Sequence, residues 1–117
     1  MVEVGYYNGK YGPLAEMEIP MLDRACYFGD GVYDFSLAHK DKIFVIDEHI
    51  DRIYKSAAMI EIDIPYSKEE MKAILYEAVS KSECEDVSVY WQVSRGTDIR
   101  NHIYPGADKK ANLMIMI

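Results

Sequence analysis

The sequence is poor in cysteine, and this scarcity limits the kinds of site that it can form. Two of its 117 residues are cysteines, Cys26 and Cys84. Their separation matches no metal-ligand spacing, and two cysteines are too few for a disulfide framework. We therefore predict reduced thiols in a cytoplasmic protein, each acting as a small, buried or half-buried apolar side chain.

Basic residues and long apolar runs are also scarce. Asp and Glu number 20 against 13 Lys and Arg, so the formal net charge is -7. Binding to nucleic acid or to an anionic membrane needs clustered Lys and Arg, and no apolar stretch approaches the length of a membrane span. We expect neither partner. The N-terminus has no signal pattern, and the three histidines show no ligand spacing, so we expect no metal site.

Hydrophobic residues make up half of the chain, which is enough to pack the core of one domain. Between turn signals, apolar runs predict strands at residues 2–7, 32–38, 43–46, 87–93 and 113–117. Two further segments have apolar residues at helical spacing. Asp47 is the expected N-cap of the first helix, and Ser67 with Glu70 forms a capping box before the second.

The order of strands, two helices and strands predicts an α+β fold, a mainly antiparallel sheet with both helices packed on one face. Residues 1–117 then form one domain. The chain stops inside the apolar run LMIMI without a turn, cap or polar tail, whereas chain ends are usually solvated. We expect truncation, and the alternative is a last strand that lies inside the sheet.

Two short segments contain polar groups suited to a site. In FGDGVY, residues 28–33, two glycines allow a sharp turn, after which Tyr33 could present its hydroxyl to a cleft; the alternative is a core tyrosine. In the first predicted helix, Arg52 lies off the apolar stripe. Its guanidinium fork suits a phosphate, and the alternative is a surface pair with Asp51 or Glu48.

A third segment, RGTDIRNH at residues 95–102, follows a predicted buried strand. Loops fixed by a rigid scaffold often carry function. Two arginines and a histidine there, together with a tyrosine hydroxyl, would bind a carboxylate strongly. The alternative is a solvated loop with scattered charges. The residues alone thus indicate a small acidic α+β domain with a candidate anion-binding loop, and no reaction.

Three longer motifs carry a resemblance to a known family: DRACYFGDGVY at 23–33, DEHIDRIYKSA at 47–57 and YWQVSRGTDIRNH at 90–102. In this order and spacing they resemble the class IV, fold-type IV pyridoxal-phosphate enzymes. That group includes D-amino acid aminotransferases, branched-chain aminotransferases and aminodeoxychorismate lyases. The pair Arg100 and His102 is similar to the R-x-H pattern of the D-amino acid branch, whereas branched-chain enzymes usually show FGEG and the lyases typically lack R-x-H.

The resemblance implies roles for four residues. Arg52 matches the arginine that binds the phosphate of pyridoxal 5'-phosphate. Tyr33, Arg100 and His102 match a substrate-carboxylate trap, in which the last two reach in from the neighbouring subunit of a homodimer. The implied reaction transfers an amino group between a D-amino acid, such as D-alanine, and a 2-oxo acid, such as 2-oxoglutarate, with the cofactor as electron sink.

The resemblance also implies that the catalytic residue is missing. In this family a lysine forms the Schiff base, and it lies in a second, larger domain; Lys55 and Lys72 match no such position. We therefore expect no catalytic residue in these 117 residues and no activity from this chain alone. The alternatives are a lyase or branched-chain enzyme of the same family, or a non-catalytic, stand-alone domain that binds a small anion or a partner chain.

Overall fold

The computed structural model describes residues 2–103, 105 and 109–117. The strands are β1 (Val4–Tyr7), β2 (Lys10–Pro13), β3 (Gly31–His39), β4 (Lys42–Ile43), β5 (Asp86–Ser94) and β6 (Asn112–Met116). The helices are α1 (Arg24–Phe28), α2 (Ile46–Met59) and α3 (Lys68–Ser82), with a 3-10 turn at Leu14–Glu16. The strands form one sheet in the order β2-β1-β6-β5-β3-β4, and each neighbouring pair is antiparallel. The predicted α+β fold is confirmed.

The two long helices cover one face of the sheet. Their apolar stripes are buried, with Ile53 in α2 and Leu75 in α3 fully inaccessible to solvent. They pack against the inward side chains of β5, among them Trp91. The predicted capping box is present, because the Ser67 hydroxyl accepts from the Glu70 amide at 3.1 Å and the Glu70 carboxylate accepts from the Ser67 amide at 3.0 Å.

Two boundaries in the middle of the chain differ from the prediction. The strand expected at 43–46 shrinks to Lys42–Ile43, and α2 begins at Ile46, so Asp47 is not its N-cap. The N-cap is Val45, with left-handed φ and ψ of 42° and 45°. Burial decides the boundary, because the inward turn at Val45 places the Ile46 side chain in the core while Phe44 stays exposed.

Helix α1 and strand β2 were not predicted. Five residues are too few to show a helical period, yet α1 has both of its end signals: the Asp23 carboxylate accepts from the Ala25 amide at 2.9 Å, and Gly29 ends the helix in the left-handed region. Strand β2 returns from the turn at Asn8 and Gly9, where both residues have positive φ. That turn was recognised, but the four residues after it lack an apolar pattern.

The last strand lies in the interior of the sheet, between β1 and β5. A last strand inside the sheet was the alternative to truncation of the chain, and truncation itself stays a prediction.

Helices α2 and α3 do not cover the opposite face of the sheet. It presents a group of large apolar side chains, which we call the open face: Tyr33, Phe35, Leu37, Tyr90, Met114 and Met116.

The two cysteines differ in their exposure. Both cysteines are free, and Cys84 is half-buried as expected. Cys26 is exposed because it lies on the outer side of α1, so the expectation of burial is wrong for Cys26.

Within the described residues, no helix has the length and apolar character needed to cross a membrane. The same residues contain no cluster of three or more potential metal ligands.

Candidate functional site

Strand β3 sends Tyr33 and Asp34 to opposite faces of the sheet, as the two-residue period of a strand requires. Tyr33 is 67% exposed, so the alternative of a core tyrosine is wrong. Its ring stacks on that of Tyr90 with 5.6 Å between centroids. The Tyr90 hydroxyl in turn donates to Gln92 at 2.9 Å. The Tyr33 ring therefore has a supporting neighbour, while its hydroxyl has no hydrogen bond among the described residues.

Asp34 of β3 holds the side chain of Arg52. Its Nε and Nη2 atoms donate to the two carboxylate oxygens of Asp34 at 2.8 and 2.6 Å. The expected alternative, a surface pair with Asp51 or Glu48, is wrong, because Asp51 pairs instead with Lys68 at 3.0 Å. Two-point binding of this kind fixes the plane of the guanidinium as well as its position.

Asp34 is a buried acceptor: its side chain is 1% exposed, against 64% for that of Arg52. Burial by itself raises the pKa of the Asp34 carboxyl, but hydrogen bonds from Arg52, the Phe35 amide and His49 outweigh it and hold the pKa below its ordinary value. The His49 Nδ1 atom lies 2.8 Å from Asp34 Oδ1. A carboxylate that stays ionised under the helix thus anchors an arginine whose outer edge faces solvent.

That outer edge is available to a ligand. The Arg52 Nη1 atom makes no hydrogen bond within the described part of the chain, so both of its hydrogens can be donated to an oxyanion. The pKa of Arg52 is raised, mainly by the hydrogen bond and charge of Asp34, and Tyr33 adds to the shift. Arg52 binds Asp34, whose side chain leaves β3 on the face opposite to that of Tyr33, and no hydrogen bond joins Tyr33 to Arg52 among the described residues.

Arg100 and His102 meet on a single aromatic ring. The Arg100 guanidinium carbon lies 5.5 Å from the centroid of the Phe28 ring, and the His102 ring centroid lies 5.2 Å from it. Both side chains belong to exposed residues, and neither donates a hydrogen bond to another described residue. Their polar groups are thus free to bind an anion, while their apolar surfaces rest on Phe28.

The other arginine of this loop has a structural role. Arg95 is buried, and its Nε atom donates to Asp30 at 2.8 Å. Its Nη2 and Nη1 atoms donate to the carbonyls of Ile60 and Glu61, just after α2, at 2.8 and 3.3 Å. Of the two arginines that the loop motif offered, Arg95 joins α2 to the FGDG turn and Arg100 is the one available for binding.

Of the four predicted residues, the structure brings Arg100 and His102 together, on the ring of Phe28. Arg52 binds Asp34, the residue after Tyr33 in β3. No hydrogen bond or ring contact between described residues joins Arg52 to Tyr33, Arg100 or His102. Sequence reasoning missed Asp34, although an ionisable residue on the buried side of a predicted strand needs a partner. Phe28 belongs to the FGDGVY segment, but its contacts with Arg100 and His102 were not predicted.

A large apolar groove lies elsewhere, at the β3–β4 end of the sheet. Its volume is about 860 Å³, and its lining includes Leu37, Ile43, Phe44 and Val87. None of the four predicted site residues lines it. Its lining is mainly apolar but also includes His39, Lys42, Asp86 and Ser88. Because it contains none of the residues that the sequence motifs indicate, we place the candidate site at those four residues and not in this groove.

With this geometry described, comparison with known proteins identifies the family. The family model for amino-transferase class IV matches residues 31–117. The D-alanine aminotransferase of Listeria monocytogenes serotype 4b (strain F2365) is 48% identical over 88 residues, which are 74% of this chain and 30% of that protein. The chain belongs to the class IV aminotransferases.

Solved structures confirm the fold. The branched-chain amino acid aminotransferase from Escherichia coli superposes with a TM-score of 0.86 at 16% identity, over 100% of this chain and 41% of that one. The branched-chain aminotransferase from the archaeon Thermoproteus uzoniensis, solved with norvaline, gives 0.77 at 22% identity, over 97% and 40%. At such identities the likeness concerns the fold alone. The chain spans about a third of the length of the curated relatives that it matches.

Proposed function

We propose that this chain is the N-terminal domain of a pyridoxal-phosphate-dependent aminotransferase that exchanges the amino group between a D-amino acid, such as D-alanine, and a 2-oxo acid, such as 2-oxoglutarate. The observation that carries the proposal is the anchored, open-edged guanidinium of Arg52, because it fits a phosphate. The identity to a D-alanine aminotransferase supports the choice of substrate. The lysine of the Schiff base would lie in a second domain.

The residues of this chain would bind and orient. Arg52 would donate Nη1 hydrogens to the phosphate of the cofactor, which when bound supplies the electron sink for amino transfer. Tyr33, Arg100 and His102 would form the substrate-carboxylate trap, whose donors are uncommitted among the described residues. A carboxylate held at fixed points exposes the α-hydrogen on one face only, which selects one enantiomer.

The absence of any contact, among the described residues, between Arg52 and the pair Arg100 and His102 supports a homodimer, in which Arg100 and His102 would complete the site of the neighbouring subunit. An acidic chain with two free cysteines suits the cytoplasm. The rival within the family is a branched-chain aminotransferase, and the shared fold favours it equally. An aminodeoxychorismate lyase is the third family member to test. The choice of substrate separates all three.

The decisive assay measures pyruvate release from D-alanine and 2-oxoglutarate with added pyridoxal phosphate. The complete open reading frame and this chain are assayed side by side. Aminodeoxychorismate, whose cleavage also releases pyruvate, and L-valine serve as replacement substrates, and with L-valine the product measured is 3-methyl-2-oxobutanoate. We expect activity with D-alanine from the open reading frame and none from this chain alone. Activity with L-valine only would replace the proposal by the branched-chain reaction, and inactivity with all substrates would favour a non-catalytic binding domain.

Arg100→Ala tests the carboxylate trap within the open reading frame. Because hydrogen bonds between charged groups are strong, its loss should lower kcat/KM for D-alanine by about a hundredfold, which corresponds to one strong charged bond of about 2.7 kcal/mol. The matched control is Lys55→Ala, which removes an exposed positive charge from α2. Steady-state rates with D-alanine check both variants. A rate equal to that of the control would remove Arg100 from the trap.

A further inference from the structure

Helix α1 and the loop after β5 form one connected unit. The Arg24 amide donates to the Gly96 carbonyl at 2.9 Å, and the Tyr27 hydroxyl donates to the Asp98 carbonyl at 2.8 Å. The bonded loop residues immediately precede residues 100–102, which we call the trap segment. Because α1 is fixed at its start by the Asp23 cap, the loop is tied to a folded element along its first residues.

The Arg24 side chain extends this connection into the trap segment itself. Its Nη1 atom donates to the carbonyl of Asn101, the residue between the two trap side chains, at 2.8 Å. Its Nε atom donates to Asp30 at 2.7 Å, and the side chain is 4% exposed. Asp30 also accepts from Arg95, so the guanidinium is locked in place and its donor points at the trap segment.

Phe28 then holds the two side chains that flank Asn101. The Arg100 guanidinium and the His102 ring both contact its ring, and the Arg24 guanidinium lies 5.0 Å from the same centroid. Cations and imidazoles are attracted to an aromatic face. An exposed arginine loses side-chain freedom when it binds an anion, and a ring that restricts it beforehand reduces that loss.

We propose that Phe28 and Arg24 are positioning residues for the trap segment: the ring holds the side chains of Arg100 and His102, and the guanidinium holds the peptide between them. This inference rests on the proposed function for the assignment of those two side chains to a carboxylate. Phe28, the aromatic residue of the FGDG motif, would then prearrange a substrate-binding loop.

Proton NMR of this chain tests the placement without any substrate. A ring current from Phe28 displaces the imidazole CH signals of His102, and Phe28→Leu should remove that displacement. Phe28→Tyr keeps the ring and should retain it. The imidazole of His39, exposed at the end of β3, is the internal reference and should not move. His102 signals that are unchanged in Phe28→Leu would overturn the role of the ring.

Arg24→Lys provides a second test if Phe28→Leu fails to fold, which far-UV circular dichroism would reveal. A lysine keeps the charge beside Asp30 but lacks the second arm that reaches Asn101. Amide exchange at Asp98, whose N–H is bonded to the Leu22 carbonyl, should become roughly tenfold faster as the loop loosens. Unchanged exchange would overturn the role of Arg24. An inactive open reading frame would reject the proposed function alone, since neither readout depends on it.

Discussion

At the scale of single residues, Arg52 is held by a carboxylate that is distant in the sequence and is brought to it by the fold. Arg52 and Tyr33 could be singled out from residue type and neighbourhood. The partner of Arg52 could not, because Asp34 is 18 positions away and reaches it only after α2 packs on β3. The same holds for Arg24 and Arg95, which share Asp30 across separations of 6 and 65 residues.

Asp30→Asn tests this shared ion pair through its dependence on pH. Burial raises the pKa of the Asp30 carboxyl, but hydrogen bonds from Arg95 and Arg24 outweigh it and lower the pKa. Because the pKa of Asp30 is lower in the folded protein, the unfolded chain binds more protons near pH 4. The stabilisation of the folded state by the ionised carboxylate is therefore complete above about pH 4. It is lost as the pH falls through the folded-state pKa.

We therefore expect Asp30→Asn to lower the free energy of unfolding at pH 7 by roughly 3 kcal/mol, since it leaves two buried arginines without their anion. The deficit should shrink below about pH 4 as the wild-type carboxyl becomes protonated. Urea unfolding at pH 7, 5 and 3.5 measures it. The control is Asp63→Asn, at an exposed position. A deficit that stays constant across this range would contradict the ion-pair account.

At the scale of elements, segments with an apolar run or a clear periodic pattern were predictable, whereas α1 and β2, which lack one, were not. The capping box of α3 and the alternation of β5 show in the sequence because each belongs to an element of nine residues or more that follows a local rule. The start of α2 does not, since Asp47 satisfies the local N-cap preference but burial of Ile46 moves the boundary. The consequence is a β-branched residue, Val45, in the left-handed region.

Val45→Asn tests the cost of that conformation. Left-handed backbone is unfavourable for valine and much less so for asparagine. We expect the free energy of unfolding to rise by about 1 kcal/mol, measured by urea denaturation. Val45→Thr, which keeps the branched Cβ, serves as the control and should gain less. If both variants gain equally, the backbone explanation for this site is wrong.

At the scale of the whole molecule, the α+β class and the placement of both long helices followed from the order of elements. The sheet order did not, because no local pattern places β6 between β1 and β5. That arrangement leaves the open face, where Phe35 and Leu37 are 46% and 60% exposed. A large exposed apolar surface usually marks a contact surface.

Dye binding tests whether the open face is accessible in solution. We expect this chain to enhance the fluorescence of a hydrophobic dye more than an ordinary monomer of its size does. Replacing Phe35 and Leu37 by threonine preserves strand propensity and should remove most of the excess. Val2→Thr, at a 72% exposed position away from the sheet, is the control. Two results would contradict an accessible open face: ordinary dye fluorescence in the wild type, or equal fluorescence in the double variant and the control. Either would show that the open face is covered, for instance by a second copy of the chain. A concentration-dependent sedimentation coefficient would then identify that second copy as the cover.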